Sequence, residues 1–168
     1  HLSIRRQRQM CIRDRDEPYA RDAYRERTGA DVTKVGFMVR EFNGYRLGYS
    51  PDGLPGEGGL IEIKSRRQKK HLATILADEV PLENMAQIQT GLLVSGRAWC
   101  DYVSYCGGMP LYIKRVFPDP RWVSAINDAL AKFEDDAAQM IAAYNNAVAG
   151  HPATERIDHD DYTVKEIF

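Results

Sequence analysis

In the short apolar run Leu60-Ile61-Glu62-Ile63-Lys64-Ser65 a carboxylate and an ammonium stand two residues apart. A strand repeats its side-chain direction every two residues, so Glu62 and Lys64 share one face and Ile61 and Ile63 the other. Upstream, Asp52 lies in Ser50-Pro51-Asp52-Gly53, a turn ending the preceding strand, and from there its carboxylate can reach the same space. Asp52 and Glu62 would supply hard oxygen donors for a cation such as Mg2+. Such an ion activates water and neutralises phosphate charge, while a lysine beside it orients the nucleophile, which are the parts that phosphodiester hydrolysis needs. The same spacing also fits a half-exposed strand with Ile61 and Ile63 inside and Glu62 and Lys64 in water; Glu-x-Lys is too short to separate the two.

The elements that must hold these residues follow from patterning. Asp16, Glu17 and Pro18 supply a cap, a first-turn acid and a first-position proline, and Gly29 a stop, which predicts a helix over 17–28. The β-branched and aromatic residues of 32–49, broken by Asn43-Gly44, predict two strands in a tight hairpin. Residues 60–65 read as a buried strand, after which charges resume with Arg66, Arg67, Lys69 and Lys70. Met85, Ile88, Leu92 and Leu93 recur at helical spacing within 82–94, closed by Gly96. Residues 99–106 and 111–117 flank the turn cluster Gly107-Gly108-Met109-Pro110, a second hairpin expected to extend the sheet. Asp119-Pro120 opens a long helix whose stripe of Trp122, Ile126, Leu130, Phe133, Ala137, Met140 and Tyr144 is expected to pack on that sheet. The expected fold is α/β, a mixed central sheet flanked by helices, with the metal site at one end of the 60–65 strand.

Composition narrows the class. A chain of 168 residues suits one domain, expected here over 16–148. No apolar stretch approaches the roughly 18 residues that cross a bilayer, so no membrane partner is expected. The cysteines Cys11, Cys100 and Cys106 show no CxxC spacing, against a disulfide framework, a zinc site or an iron–sulfur cluster, and fit a reducing cytoplasm. A net charge of −1 leaves any nucleic-acid surface to local clustering. Residues 1–15, with Arg5, Arg6, Arg8, Arg13 and Arg15 and no apolar periodicity, read as a disordered arm. The stretch RQRQMCIRDR also resembles adaptor read-through at the end of an environmental gene fragment, implying that the natural N-terminus is missing. Residues 149–168 read as a loosely held tail. Its His151, Asp158, His159, Asp160 and Asp161 match no metal-ligand spacing. There is no internal repeat.

The arrangement Asp52…Glu62-x-Lys64 resembles the PD-(D/E)XK nucleases. Its surroundings are similar to the lambda-exonuclease or YqaJ-like viral recombinase branch. They are Glu17-Pro18-Tyr19-Ala20-Arg21, Thr28-Gly29, Gly48-Tyr49-Ser50-Pro51-Asp52-Gly53, Ile61-Glu62-Ile63-Lys64, Met85-Ala86-Gln87-Ile88-Gln89 and the hairpin from Trp99 to Tyr105. The resemblance covers most of the chain from Glu17 to about Tyr144 and implies a restriction-endonuclease-like core. It implies metal binding by Asp52, Glu62 and the Ile63 carbonyl, with Mg2+ as cofactor and Mn2+ as substitute, and a water-positioning Lys64. It further implies a site carboxylate at Glu17, for which a helix-start acid favoured by the macrodipole is the alternative. Periodicity puts Gln89 inside the apolar stripe as a buried amide needing partners, and Gln87 on the opposite side. The family pattern assigns the active-site role to Gln87. Arg66, Arg67, Lys69 and Lys70 could contact DNA phosphates or form a plain solvated charge run.

The function implied by the resemblance is resection of double-stranded DNA ends, 5′ to 3′, for phage-type recombination inside a bacterial host. An annealing protein would be a partner and a homotrimer the assembly. The alternatives are a RecB-like or structure-specific endonuclease and an inactive DNA-binding scaffold; intact Asp52, Glu62 and Lys64 argue against the scaffold. The arginine-rich start departs from the segment that usually precedes the Glu17 helix in this family.

Overall fold

A computed structural model describes the backbone of residues 2–156, with side-chain surroundings from residue 15 onward. Asp158, His159, Asp160 and Asp161 of the expected tail lie outside the described residues, as do the side chains of Arg5, Arg6, Arg8 and Arg13. The chain runs through α1 (Leu2–Thr28), β1 (Val32–Thr33), the hairpin β2 (Met38–Phe42) and β3 (Tyr45–Tyr49), and β4 (Leu54–Pro55). There follow β5 (Gly59–Ser65), α2 (Gln68–Ala77), α3 (Leu82–Ser95), β6 (Trp99–Tyr105), β7 (Tyr112–Val116) and α4 (Pro120–Ala147). No described helix is long and apolar enough to cross a membrane.

β5 pairs parallel with β6, placing Glu62 beside Tyr102 and Lys64 beside Ser104, and β6 pairs antiparallel with β7. Parallel neighbours need a crossover connection, which α2 and α3 provide. A sheet with helices on both faces is dry on both. On one face Ile61, Ile63 and Val103 pack with Ala20 and Tyr24 of α1. On the other, Leu60, Cys100 and Tyr102 pack with Ile88 and Leu92 of α3. Burying an aliphatic side chain of this size contributes about 2 kcal/mol, so Leu60 and Ile61, both fully buried, anchor β5 from opposite sides.

β2 and β3 form their own ladder, closed at Phe42 and Tyr45. Asn43 and Gly44 there take φ of 49° and 84°. Two consecutive left-handed residues match the right-handed twist of a two-residue hairpin, hence Asn-Gly. The free edge of β5 is held by a bridge in which Ile61 N–H donates to the Gly53 carbonyl at 3.0 Å. That bridge brings the adjacent Asp52 alongside β5.

Three expectations are corrected. The helix expected to begin at Glu17 begins at Leu2, so the arginine-rich run expected as a disordered arm is helical, with Pro18 inside α1. Arg, Gln, Met and Ile all tolerate helix well. α2 was not expected: its Gln, Lys, Leu and Ala favour helix, but only His71 and Thr74 are buried, so there is no broad apolar stripe to read. The stripe of α4 is also not buried throughout. Ile126 and Leu130 are part-buried against the core that holds Leu60, whereas Phe133, Met140 and Tyr144 are 65%, 73% and 66% exposed. The chain divides into two compact units, His1–Leu130 and Ala131–Phe168, with the boundary inside the residues of α4.

Candidate active site

Glu62, although on a strand with alternating polarity, is 1% exposed. That excludes the solvated-face alternative, because a buried carboxylate must be partnered. Both of its oxygens are: Tyr49 Oη donates to Oε2 at 2.8 Å and Lys64 Nζ to Oε1. Lys64 Nζ also donates to Gln87 Oε1 at 2.8 Å. Asp52 Oδ2 accepts from the Ile63 amide at 2.6 Å. Buried Arg21 donates through Nε to the Asp52 carbonyl at 3.0 Å and pairs with Glu17 one helical turn earlier. Ser65 Oγ donates to Asp16 at 2.7 Å, tying the end of β5 to α1.

Glu17, Asp52, Glu62, Ile63, Lys64, Ser65 and Gln87 line one cavity of about 170 Å³. Four separate parts of the chain supply it: α1 gives Glu17, the turn after β3 gives Asp52, β5 gives Glu62 to Ser65, and α3 gives Gln87. The cavity is electrostatically tense. Burial, then the charge on Glu62, raises the Asp52 pKa to about 7, with Glu17 adding and the Ile63 amide and Lys64 opposing. Burial and the Glu62 charge also push the Tyr49 hydroxyl far above its ordinary range, so it remains a donor.

The donors suit a hard cation. No described group of three or more His, Cys, Asp or Glu side chains forms a closed metal cage. Mg2+ does not ask for one: it keeps several waters and binds through one or two carboxylates plus phosphate oxygens. Asp52 and Glu62, with the Ile63 carbonyl, fit that demand. Burial, and then the Glu62 charge, disfavour an ionised Asp52 even with Lys64 beside them, and a bound cation would offset that cost.

The expected residues separate into three groups. Asp52, Glu62, Ile63, Lys64, Gln87 and Glu17 share the cavity. Gln89 does not: it is 1% exposed, donates to the Phe117 carbonyl and accepts from the Asp119 amide, both at 2.9 Å. It holds the connection from β7 to α4. Of the four cations after β5, Arg66 is folded against α3, bonded to Glu83 at 3.0 Å and Asn84 at 2.6 Å, which removes it as a free phosphate contact. Lys70 lies 3.5 Å from Glu83 but is exposed, as are Arg67 and Lys69. Sequence reasoning gave no individual role to Arg21 or Tyr49. The signal for Arg21 was its i,i+4 spacing from Glu17; for Tyr49 there was none, since its contact with Glu62 is made across elements.

The family profile for the YqaJ-like viral recombinase domain matches residues 9–98. The chain belongs to this family. No curated protein sequence matches it. Among solved structures, an alkaline exonuclease from Laribacter hongkongensis is 33% identical, with TM-score 0.75, covering 83% of this chain and 74% of its own. The same enzyme in complex with dAMP gives TM-score 0.76 at 33% identity, covering 83% and 73%. These similarities establish the restriction-endonuclease-like α/β fold for this YqaJ-family chain, as the sequence resemblance implied.

Proposed function

We propose that this chain is a Mg2+-dependent exonuclease that resects double-stranded DNA ends, 5′ to 3′, for homologous recombination. The observation that carries the reading is the convergence of Asp52, buried Glu62 and Lys64 on one cavity, in a chain similar to an alkaline exonuclease. Asp52, Glu62 and the Ile63 carbonyl would hold Mg2+, with Mn2+ as a substitute, and the ion would supply charge neutralisation at the scissile phosphate and an acidified water. Lys64, tethered by Gln87, holds its ammonium at the cavity wall, where it can orient the attacking water. Glu17, fixed by Arg21, adds negative charge at the cavity wall. Exposed Arg67, Lys69 and Lys70 beside β5 are the candidate phosphate contacts.

The deciding experiment compares linear and covalently closed duplexes, end-labelled on either strand, in Mg2+ and in EDTA. Loss of label from the 5′ ends of linear DNA in Mg2+ alone is expected. Activity in EDTA ends the metal reading, release from 3′ ends ends the polarity, and cutting of closed circles turns the reading to an endonuclease. A homotrimer is also proposed, supported by exposed Phe133, Met140, Ile141 and Tyr144 on α4. Recruitment of a single-strand annealing protein completes the proposal.

A further inference from the structure

α3 touches the site twice, one helical turn apart. Gln87 meets Lys64 directly. At Gly91 the backbone lies so close to the Tyr49 ring that an added Cβ would fall 2.5 Å from Cζ and 2.7 Å from Cε1. Any larger residue must push the ring aside, and the ring carries the hydroxyl that donates to Glu62 Oε2 at 2.8 Å. Tyr49 is itself 4% exposed at the end of β3, so the ring cannot yield into solvent without leaving its buried seat.

We propose that Tyr49, seated on the bare backbone of Gly91, is a positioning residue that fixes the Glu62 carboxylate with Oε1 toward the cavity. The inference rests on the metal-site reading above. Tyr49 occupies Oε2 from the interior, so Oε1, which accepts from Lys64 Nζ on the cavity side, is the oxygen that a cation would share with that lysine. A carboxylate free to rotate would present either oxygen and would lose the orienting contribution of a charge-assisted hydrogen bond. Tyr49→Phe keeps the ring and its seat while deleting only the donor.

The test is Mn2+ titration of the full chain by calorimetry, with DNA cleavage alongside. In Tyr49→Phe the Mn2+ dissociation constant should rise about tenfold, the scale set by losing one hydrogen bond to a charged group. The KM for DNA should stay unchanged while kcat falls at fixed Mn2+. Gly91→Ala should weaken Mn2+ binding in the wild-type background and add little in the Tyr49→Phe background, because the route from ring to carboxylate is already cut. Wild-type Mn2+ affinity in Tyr49→Phe overturns the proposal, and so does an equal effect of Gly91→Ala in both backgrounds. A wild-type chain that binds no Mn2+ overturns the metal-site reading and this inference with it, whereas unaffected variants on a binding wild type overturn this inference alone.

Discussion

Asp52→Asn should destroy turnover yet make the metal-free protein harder to unfold at alkaline pH. Asp52 titrates at about 7, against an ordinary 3.8, because burial and then Glu62 disfavour its charged form. Below 3.8 both folded and unfolded chains carry the proton and no penalty exists. Between 3.8 and 7 the unfolded chain ionises while the folded one holds its proton, so stability falls as pH rises, and above about 7 the loss is complete. At about 1.36 kcal/mol per tenfold, the full penalty is about 4 kcal/mol; relaxation around a pair of interacting carboxylates reduces it, and about 2 kcal/mol is the expected gain from a neutral side chain. For a chain of this size that is about 4–8 °C in Tm. The assay is thermal unfolding in EDTA across pH 4 to 8, where the advantage of Asp52→Asn should grow up to about pH 7 and then level off. With Mg2+ at about a hundred times its dissociation constant the wild type gains about 2.7 kcal/mol from binding, so the order of the two Tm values should reverse. A variant that melts below wild type in EDTA at pH 8, or by the same margin at both ends of the range, would refute the crowded-carboxylate account.

Lys64→Ala should retain Mn2+ binding but lose at least about a hundredfold in kcat, on the order of what one positioned charge supplies; calorimetry showing weakened affinity would contradict a role on water. Gln87→Ala and Gln89→Ala should divide cleanly. The first leaves the urea midpoint near wild type and lowers kcat, while the second strands the Phe117 carbonyl and the Asp119 amide and costs about 2–4 kcal/mol of stability. Replacing Arg67, Lys69 and Lys70 together should weaken DNA binding and flatten its salt dependence, by a log–log slope of about 0.9 for each phosphate that is no longer neutralised; an unchanged slope would return them to plain solvated charge. Serine at Phe133, Met140 and Tyr144 should convert the proposed trimer to monomer by light scattering, and a wild type already monomeric at micromolar concentration removes the ring.

Local period settled how the key side chains are grouped. In residues 60–65 a repeat of two could only put Glu62 and Lys64 together, and in α3 two residues separate by about 200°, so Gln87 and Gln89 could not face the same partner. What covers each face is a long-range matter. Whether Glu62 stood in open water or buried at the base of a cavity depended on α3 lying over the sheet, and a strand with one apolar face reads the same in either case. The contact of Tyr49 with Glu62 and that of Arg21 with the Asp52 carbonyl join elements that no spacing relates. α2 stayed hidden because its helical residues bury too little to leave a stripe. For α4 the reverse holds: the stripe was plain in the residues, but periodicity reports which side is apolar and not what is there to meet it. Side-chain direction is set by backbone geometry within a few residues and can be read from them, whereas burial is set by neighbours brought in from elsewhere in the chain, and only the tertiary structure decides it.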